Sequence, residues 1–532
     1  MPAVHLEVEK KYVADEGFEL PSLTELVRTA SADAAGPEAL RPLAEGDAEQ
    51  QQLTATYFDT DDLRLSAAGL TLRRRTGGND AGWHLKVPAG RDARSEVRLP
   101  AGRAARTVPA ALRKMVRVHS RDAALVPIAE IVTERTVRRL VDPTGQVLAE
   151  VADDRVTARR LLPLGGDGDA AGAPTSWREI EVELVGGSAG LLDGVDARLR
   201  AEGLEEAGAT SKLAQLLASQ GSRSEERRPL PKKAKKATVK APGGEVVLAH
   251  LREQVAQVRA QDLPVRLDAP DAVHKMRVAT RRLRSALTTF KPLFAADVVK
   301  PLRGELRWLA GELGAARDAE VMRDRVAGAV RTEADGAEPG PAATIADHEL
   351  GEAYRGAHDR VLAELDGDRY HQLVAALDAL VDSPPFSERA AAPAGKVLPR
   401  LVARSFAGVR GLVEDAAARP AGDEREELLH DARKAAKASR YAAESVVRVF
   451  GQDATAFAQA MEAVQEALGE HQDSVLTRER LRDLARHTSS TEAAFLYGRL
   501  HALEEAHAEQ SQQHFDDAWQ AAQRKALHRW LR

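Results

Sequence analysis

The chain contains no cysteine. That excludes disulfides and thiolate metal sites and agrees with a reducing compartment. Aromatic residues make up only 4% of it, which leaves little material for stacking bases. The net charge is −5, so no whole-molecule field draws in nucleic acid, and polyanion binding has to come from local clustering. Long apolar runs are missing too: none approaches the ~18 residues a membrane span needs. Met1 leads into charged residues rather than an apolar signal region. These absences predict a soluble, cytoplasmic protein with no membrane partner. What the chain does have is length. At 532 residues it exceeds a single core, and two or three domains are expected.

The first part, 1–220, reads as strand-rich. Strands are expected at 54–60, 70–75, 83–87, 95–99, 131–140, 147–152 and 177–185, punctuated by Gly77-Gly78, Pro88, Pro100 and Asp142-Pro143-Thr144-Gly145. Short helices fit 21–29, 107–118, 189–201 and 211–219. The expected fold class is multidomain, α+β followed by all-α, and this part is expected to be an antiparallel barrel or curled sheet with covering helices. Residues 221–243 carry lysines and arginines without apolar periodicity and read as a basic flexible linker.

Side chains two apart on a strand share a face. The opening strand thus puts Glu7, Glu9 and Lys11 on one side and Leu6, Val8 and Lys10 on the other. Such a face is either solvated or turned into a closed barrel, where two carboxylates beside a lysine make a metal-and-phosphate site. Later strands repeat the device with Arg73 and Arg75, His84 and Lys86, Glu96 and Arg98, Arg135, and Glu179, Glu181 and Glu183. Like charges in a low-dielectric space are costly unless they are paired or ion-bound. Carboxylates from the two ends of the domain could hold a hard divalent cation, and the arginines and lysines could grip a phosphate chain.

This ordered set resembles the CYTH family, the triphosphate tunnel metalloenzymes, over about residues 4–218. The resemblance implies that Glu7 and Glu9 bind Mg²⁺ or Mn²⁺ together with Glu181 and Glu183, Glu179 assisting; because the third carboxylate extends the Glu-x-Glu pattern, which two of Glu179, Glu181 and Glu183 carry the metal is left open. It implies that Lys11, Arg73, Arg75, Lys86 and Arg135 hold the triphosphate. Lys212 matches a lysine that such domains place near their end. Glu150 and Asp154 match an acidic pair on the penultimate strand, with the adjacent Asp153 leaving the register open.

From Glu245 onward the chain is Ala- and Leu-rich with 3.6-residue periodicity. It also repeats itself. His274, Arg277, Arg281 and Arg284 return as His430, Arg433, Lys437 and Arg440, and Leu313-Gly314, Asp318 and Arg323 as Leu468-Gly469, Asp473 and Arg478. This is a duplication, expected as two four-helix halves about a pseudo-twofold axis. On a helix, His274, Arg277, Arg281 and Arg284 form one stripe, with Lys275 and Arg282 flanking it. No acid lies between Ala272 and Phe290. The second stripe adds Lys434. A solvated face is one reading; a groove that binds a long polyanion by phosphate contacts is the other. Nothing in this half reads as catalytic.

Residues 244–530 resemble the CHAD domain, the conserved histidine α-helical domain. The resemblance implies inorganic polyphosphate as ligand, held by the two stripes, with Arg317, Arg323 and Arg478 secondary. The expected function is a metal-dependent triphosphatase acting on tripolyphosphate, tethered to a domain, 244–532, that binds polyphosphate; association with polyphosphate granules is implied. The alternatives are a non-catalytic polyphosphate-binding or granule-targeting protein, and CYTH chemistry on thiamine triphosphate or ATP. Nucleic acid is disfavoured because the helical half lacks interleaved aromatics.

Overall fold

A computed structural model of the chain describes residues 3–28, 43–88, 93–102, 107–162, 173–209, 211–219, 238–334, 341–420 and 422–532. The chain divides into two compact units, Met1–Pro231 and Lys232–Arg532. Of the segment expected to be a basic linker, 221–243, residues 221–237 lie outside the described residues.

Among the described residues ten strands build the first unit: β1 (Ala3–Ala14), β2 (Ala44–Glu45), β3 (Glu49–Asp59), β4 (Thr71–Thr76), β5 (Gly82–Pro88), β6 (Ala93–Pro100), β7 (Val126–Val141), β8 (Val147–Arg160), β9 (Thr175–Leu184) and β10 (Glu205–Glu206). The long strands run in the order β1-β6-β5-β4-β3-β7-β8-β9. Pairing of β9 back onto β1 closes them into an eight-stranded antiparallel barrel. The helices described with them are α1 (Leu23–Arg28), α2 (Arg64–Ala67), α3 (Ala110–Ser120), α4 (Ala189–Ala201) and α5 (Lys212–Ser219). The expected covering helices are thus present, and α2 is an addition.

This barrel is inverted relative to one filled with apolar side chains. Tyr12, Leu140, Val151, Ile180 and Val182 belong to an apolar layer completed by Leu23 and Leu26 of α1 and by Leu192, Val195 and Leu199 of α4. That layer therefore lies between strands and helices, outside the barrel. Each fully buried leucine in it contributes roughly 1.5–3 kcal/mol, which helps offset the cost of an interior given to charge. Alternation then turns Glu7, Glu9 and Lys11 inward. A second apolar cluster, with Ile131, Val156, Ala158, Leu213, Leu216 and Leu217, seats α5 against β7 and β8 and so aims Lys212 at the tunnel.

The second unit is helical: α6 (Gly243–Arg266), α7 (Ala272–Thr289), α8 (Ala296–Ala334), α9 (Pro341–Asp366), α10 (Asp368–Asp382), α11 (Ala394–Ala417), α12 (Asp423–Glu444), α13 (Val447–His487) and α14 (Thr491–Ala522). The first copy comprises α6–α9, with α10 appended, and the second α11–α14. Equivalent helices meet across the copies, α6 with α11, α7 with α12 and α9 with α14, as a pseudo-twofold axis requires. The copies also exchange matching backbone hydrogen bonds at their starts, Gly243 N–H to the Ala392 carbonyl and Ala394 N–H to the Ala241 carbonyl, both 2.8 Å. Among the described residues no helix is long and apolar enough to cross a membrane.

Candidate functional site

Strand register fixes which charges face one another in the tunnel. On the β1–β9 seam Glu9 stands opposite Glu183 and Lys11 opposite Glu181. On the β8–β9 seam Glu150 pairs with Glu183 and Asp154 with Glu179. Arg135 and Arg139 of β7 stand across from Asp154 and Glu150. The opposite wall carries Arg73 beside His84, and Lys86 beside Glu96. Together these side chains enclose a cavity of about 380 Å³, lined among others by Glu7, Glu9, Lys11, Arg73, Arg75, Lys86, Arg135, Glu150, Glu181, Glu183 and Lys212. Asp153 points the other way and is held by Arg178 outside the barrel at 2.8 Å. The acidic pair of β8 in the tunnel is therefore Glu150 and Asp154.

Three carboxylates converge at one end. Asp154, Glu179 and Glu181 each offer an oxygen within 4.8 Å of the others, and all three residues are buried. Lys212 bridges them, at 2.8 Å from Asp154, 2.7 Å from Glu179 and 2.7 Å from Glu181. Arg135 adds a two-pronged contact to Asp154 at 2.7 and 2.6 Å and reaches Glu181 at 2.5 Å. Lys11 also bonds Glu181 and lies 3.3 Å from Glu9. Burial alone would lift the Glu181 and Asp154 carboxyls. Lys11, Lys212 and Arg135 overcome it for Glu181, and Lys212 and Arg135 for Asp154, holding both below the usual carboxylate range. Burial likewise opposes the Lys212 ammonium, and Asp154, Glu181 and Glu179 raise it above the lysine range.

Among the described residues no cation forms an ion pair with Glu183. Burial, with the Glu7 and Glu9 charges, pushes its carboxyl up to about 7, and Lys86 only partly offsets this. Burial also raises Glu7, despite the Lys86 ammonium bonded to it. Glu7, Glu9, Glu150, Asp154, Glu179, Glu181 and Glu183 thus offer oxygen donors only, the chemistry of a hard divalent cation.

Several residues of the basic wall were given no role in the site from the sequence, although His84, Glu96 and Arg98 were placed on charged strand faces. Glu96 is fully buried and organises the wall, touching Lys86 at 3.8 Å, Arg73 at 3.7 Å and Arg98. His84 sits 2.9 Å from Glu96 through Nδ1 and 2.8 Å from the Asp80 carbonyl through Nε2. The ring is thus held between two oxygens, one on β6 and one at the turn before β5. Asp80 reaches Arg75 at 2.5 Å. It follows the turn at Gly77 and Gly78, both at positive φ (82° and 71°), a conformation that suits glycine. Strand alternation puts Glu96 and Arg98 on one face, whereas Asp80 lies on a turn where alternation gives no signal.

In the helical unit α7 and α12 pack together and set the two basic stripes side by side. The segment free of acids in sequence acquires acids from its neighbours. Arg277 lies 3.5 Å from Asp318, Arg282 2.9 Å from Glu444, and Arg440 2.8 Å from Glu444 and 2.7 Å from Glu462. Lys434 pairs with Asp431 at 3.0 Å. Arg317, Arg323 and Arg478 each pair with a carboxylate, Glu320, Asp347 and Glu505. Arg281 and Arg284 make no ion pair with any described residue. Burial lowers both, and so do neighbouring arginines: Arg277, Arg284 and Arg433 for the first, Arg307 and Arg303 for the second. His274 is depressed by burial and then by Arg317. The repeated Leu-Gly gains a reason as well. Arg277 lies over Gly314, where a Cβ would stand 3.6 Å from the guanidinium, and Arg433 over Gly469, where it would stand 2.9 Å away.

Residues 27–213 match the CYTH domain family and residues 249–482 the CHAD domain family. The chain is a CYTH–CHAD protein. The CYTH match begins after β1, the strand whose Glu7, Glu9 and Lys11 complete the tunnel wall. CYTH proteins are triphosphate tunnel enzymes, triphosphatases among them, and CYTH domains are metal-dependent. An uncharacterized protein of Mycobacterium tuberculosis, present in strains CDC 1551 / Oshkosh and H37Rv, is 37% identical over 535 residues, covering 97% of this CYTH–CHAD chain and 96% of its own. Among solved structures, PptA from Streptomyces chartreusis aligns at TM-score 0.44 and 22% identity, over 53% of this chain and 100% of its own. The CHAD domain of Ricinus communis aligns at TM-score 0.42 and 23% identity, over 54% and 93%.

Proposed function

We propose that this CYTH–CHAD protein is a Mg²⁺- or Mn²⁺-dependent triphosphatase acting on inorganic tripolyphosphate, and that its helical domain binds inorganic polyphosphate. In this reading residues 1–220 are the hydrolase, 221–243 a tether and 244–532 the binding domain. The observation that carries it is the division of one cavity into a carboxylate wall and a basic wall.

Arg73, Arg75 and Lys86 would grip the phosphate chain from one side, with Lys11, Arg135 and Lys212 meeting it beside the carboxylates. Arginine suits the nonbridging oxygens by paired contacts and lysine as a point charge. Glu7, Glu9, Asp154, Glu179, Glu181 and Glu183, with Glu150 nearby, would hold the cation. A bound Mg²⁺ or Mn²⁺ would neutralise the phosphate chain and lower the cost of attack on phosphorus. The acidic wall would orient water in line with the leaving oxygen, while the basic wall stabilises charge building on the transferred group. Ion pairs within the tunnel, such as Lys86 with Glu7 and Arg75 with Asp80, keep its charges from standing uncompensated.

In the helical domain His274, Lys275, Arg277, Arg281, Arg282 and Arg284, with His430, Arg433, Lys434, Lys437 and Arg440, would meet polyphosphate. Binding by phosphate contacts is salt-sensitive. The test is phosphate release from tripolyphosphate with and without Mg²⁺ or Mn²⁺. Glu7→Gln and Arg75→Ala should each abolish it; unchanged turnover in both sinks the reading. Polyphosphate binding with no release under any metal would instead favour a protein that only binds.

A further inference from the structure

The two halves of the helical unit share a fold but not a charge. The alignment set by His274 with His430 and by Leu313 with Leu468 places Lys275 of the first copy against Asp431 of the second. It places Thr288 against Glu444, Arg303 against Ala458 and Arg307 against Glu462. At each of these positions the second copy is the more acidic or the less basic. The geometry supports the alignment, because Arg277 over Gly314 and Arg433 over Gly469 repeat the same contact.

The exchanges fall where they matter. Arg440, the counterpart of Arg284, is clamped by Glu444 at 2.8 Å and Glu462 at 2.7 Å. Arg284 has Thr288 and Arg307 at those two places. Among the described residues no carboxylate lies within ion-pair distance of Arg281, Arg284, Arg303 or Arg307, and Arg303 Nε, though buried, makes no hydrogen bond. Lys434 is tied to Asp431, whereas Lys275 replaces that acid. Clustered guanidiniums without counterions are unfavourable on a free surface, and an anion relieves them.

We infer that polyphosphate is held asymmetrically, seated on the first copy by Arg281, Arg284, Arg303 and Arg307 of α7 and α8, while Glu444 and Glu462 neutralise the matching face of the second. This rests on the reading of the helical unit as a polyphosphate binder. It adds Arg303 and Arg307 of α8 to the site and gives Glu462 the role of excluding the ligand. Burial and the flanking Arg307 and Arg303 lower Arg284, in keeping with like charges crowded together.

The experiment titrates the full chain with long-chain polyphosphate at several salt concentrations. Arg307→Glu, which gives the first copy the residue of the second, should weaken binding at least tenfold and reduce the salt slope by ~1 or more. Arg284→Ala should cost more affinity than Arg440→Ala. Glu462→Arg should tighten binding or add a second binding event. Equal losses from Arg284→Ala and Arg440→Ala, or an Arg307→Glu protein that melts like the parent and binds like it, overturn the asymmetry while leaving the polyphosphate reading in place. A parent protein that does not bind polyphosphate at all overturns both.

Discussion

The Asp80 carboxylate accepts a hydrogen bond from Arg75 at 2.5 Å inside the tunnel, on the face where a phosphate chain would lie. Burial opposes the Asp80 charge, and Arg75 overcomes it and holds the carboxyl below its usual range. A phosphate oxygen that takes Arg75 Nη1 competes with this carboxylate. Asp80→Asn should therefore lower KM for tripolyphosphate several-fold, with kcat changed less. Steady-state kinetics on the two proteins checks it, and an unchanged or raised KM counts against the competition.

Lys212 is the only cation that touches all three carboxylates of the Asp154–Glu179–Glu181 cluster among the described residues. Removing one partner of a buried ionic group costs about 3–5 kcal/mol, because a charge is left uncompensated. Lys212→Met should lower the melting temperature in chelator, and Mn²⁺ should restore more of it than it adds to the parent. A variant indifferent to Mn²⁺ would argue that these three carboxylates do not hold the cation. Thermal melts with and without metal decide this without reference to turnover.

His250 on α6 is buried, its Nε2 makes no hydrogen bond, and Arg282 and Arg448 face it from α7 and α13. Burial, then those two arginines, press its imidazole down to about 4 from the ordinary 6.5. The unfolded chain takes up that proton first as pH falls. Stability is therefore intact above about 6.5 and declines as pH drops toward about 4, by roughly 3 kcal/mol from this group. His250→Gln should flatten that acid limb in chemical denaturation measured between pH 7 and pH 4. A limb as steep as the parent's would mean that His250 does not supply it.

Much of the site was legible because strand alternation is a strong local rule. Glu7, Glu9, Lys11, Arg73, Arg75, Lys86, Arg135 and Glu181 were each assigned a face from sequence, and the tunnel brings those faces together. The duplication was legible too, since identical spacing survives substitution. What stayed hidden came from contacts between elements distant in sequence. Asp153 and Asp154 are neighbours, and only pairing with β9 decides that Asp154 turns inward while Asp153 meets Arg178. Asp80 and Glu96 bind cations that the sequence places on other strands or across a turn.

The sequence by itself determined two domains, an order of charged strands and a repeated basic helix, because periodicity and spacing are properties of the chain alone. Only the tertiary structure decided which way the charged faces turn, and it turned them in because covering helices claim the apolar side of the same strands. It likewise decided which arginines are neutralised. A basic stripe read along one helix meets the Glu444 and Glu462 of others, and ion pairing depends on distance in space rather than along the chain.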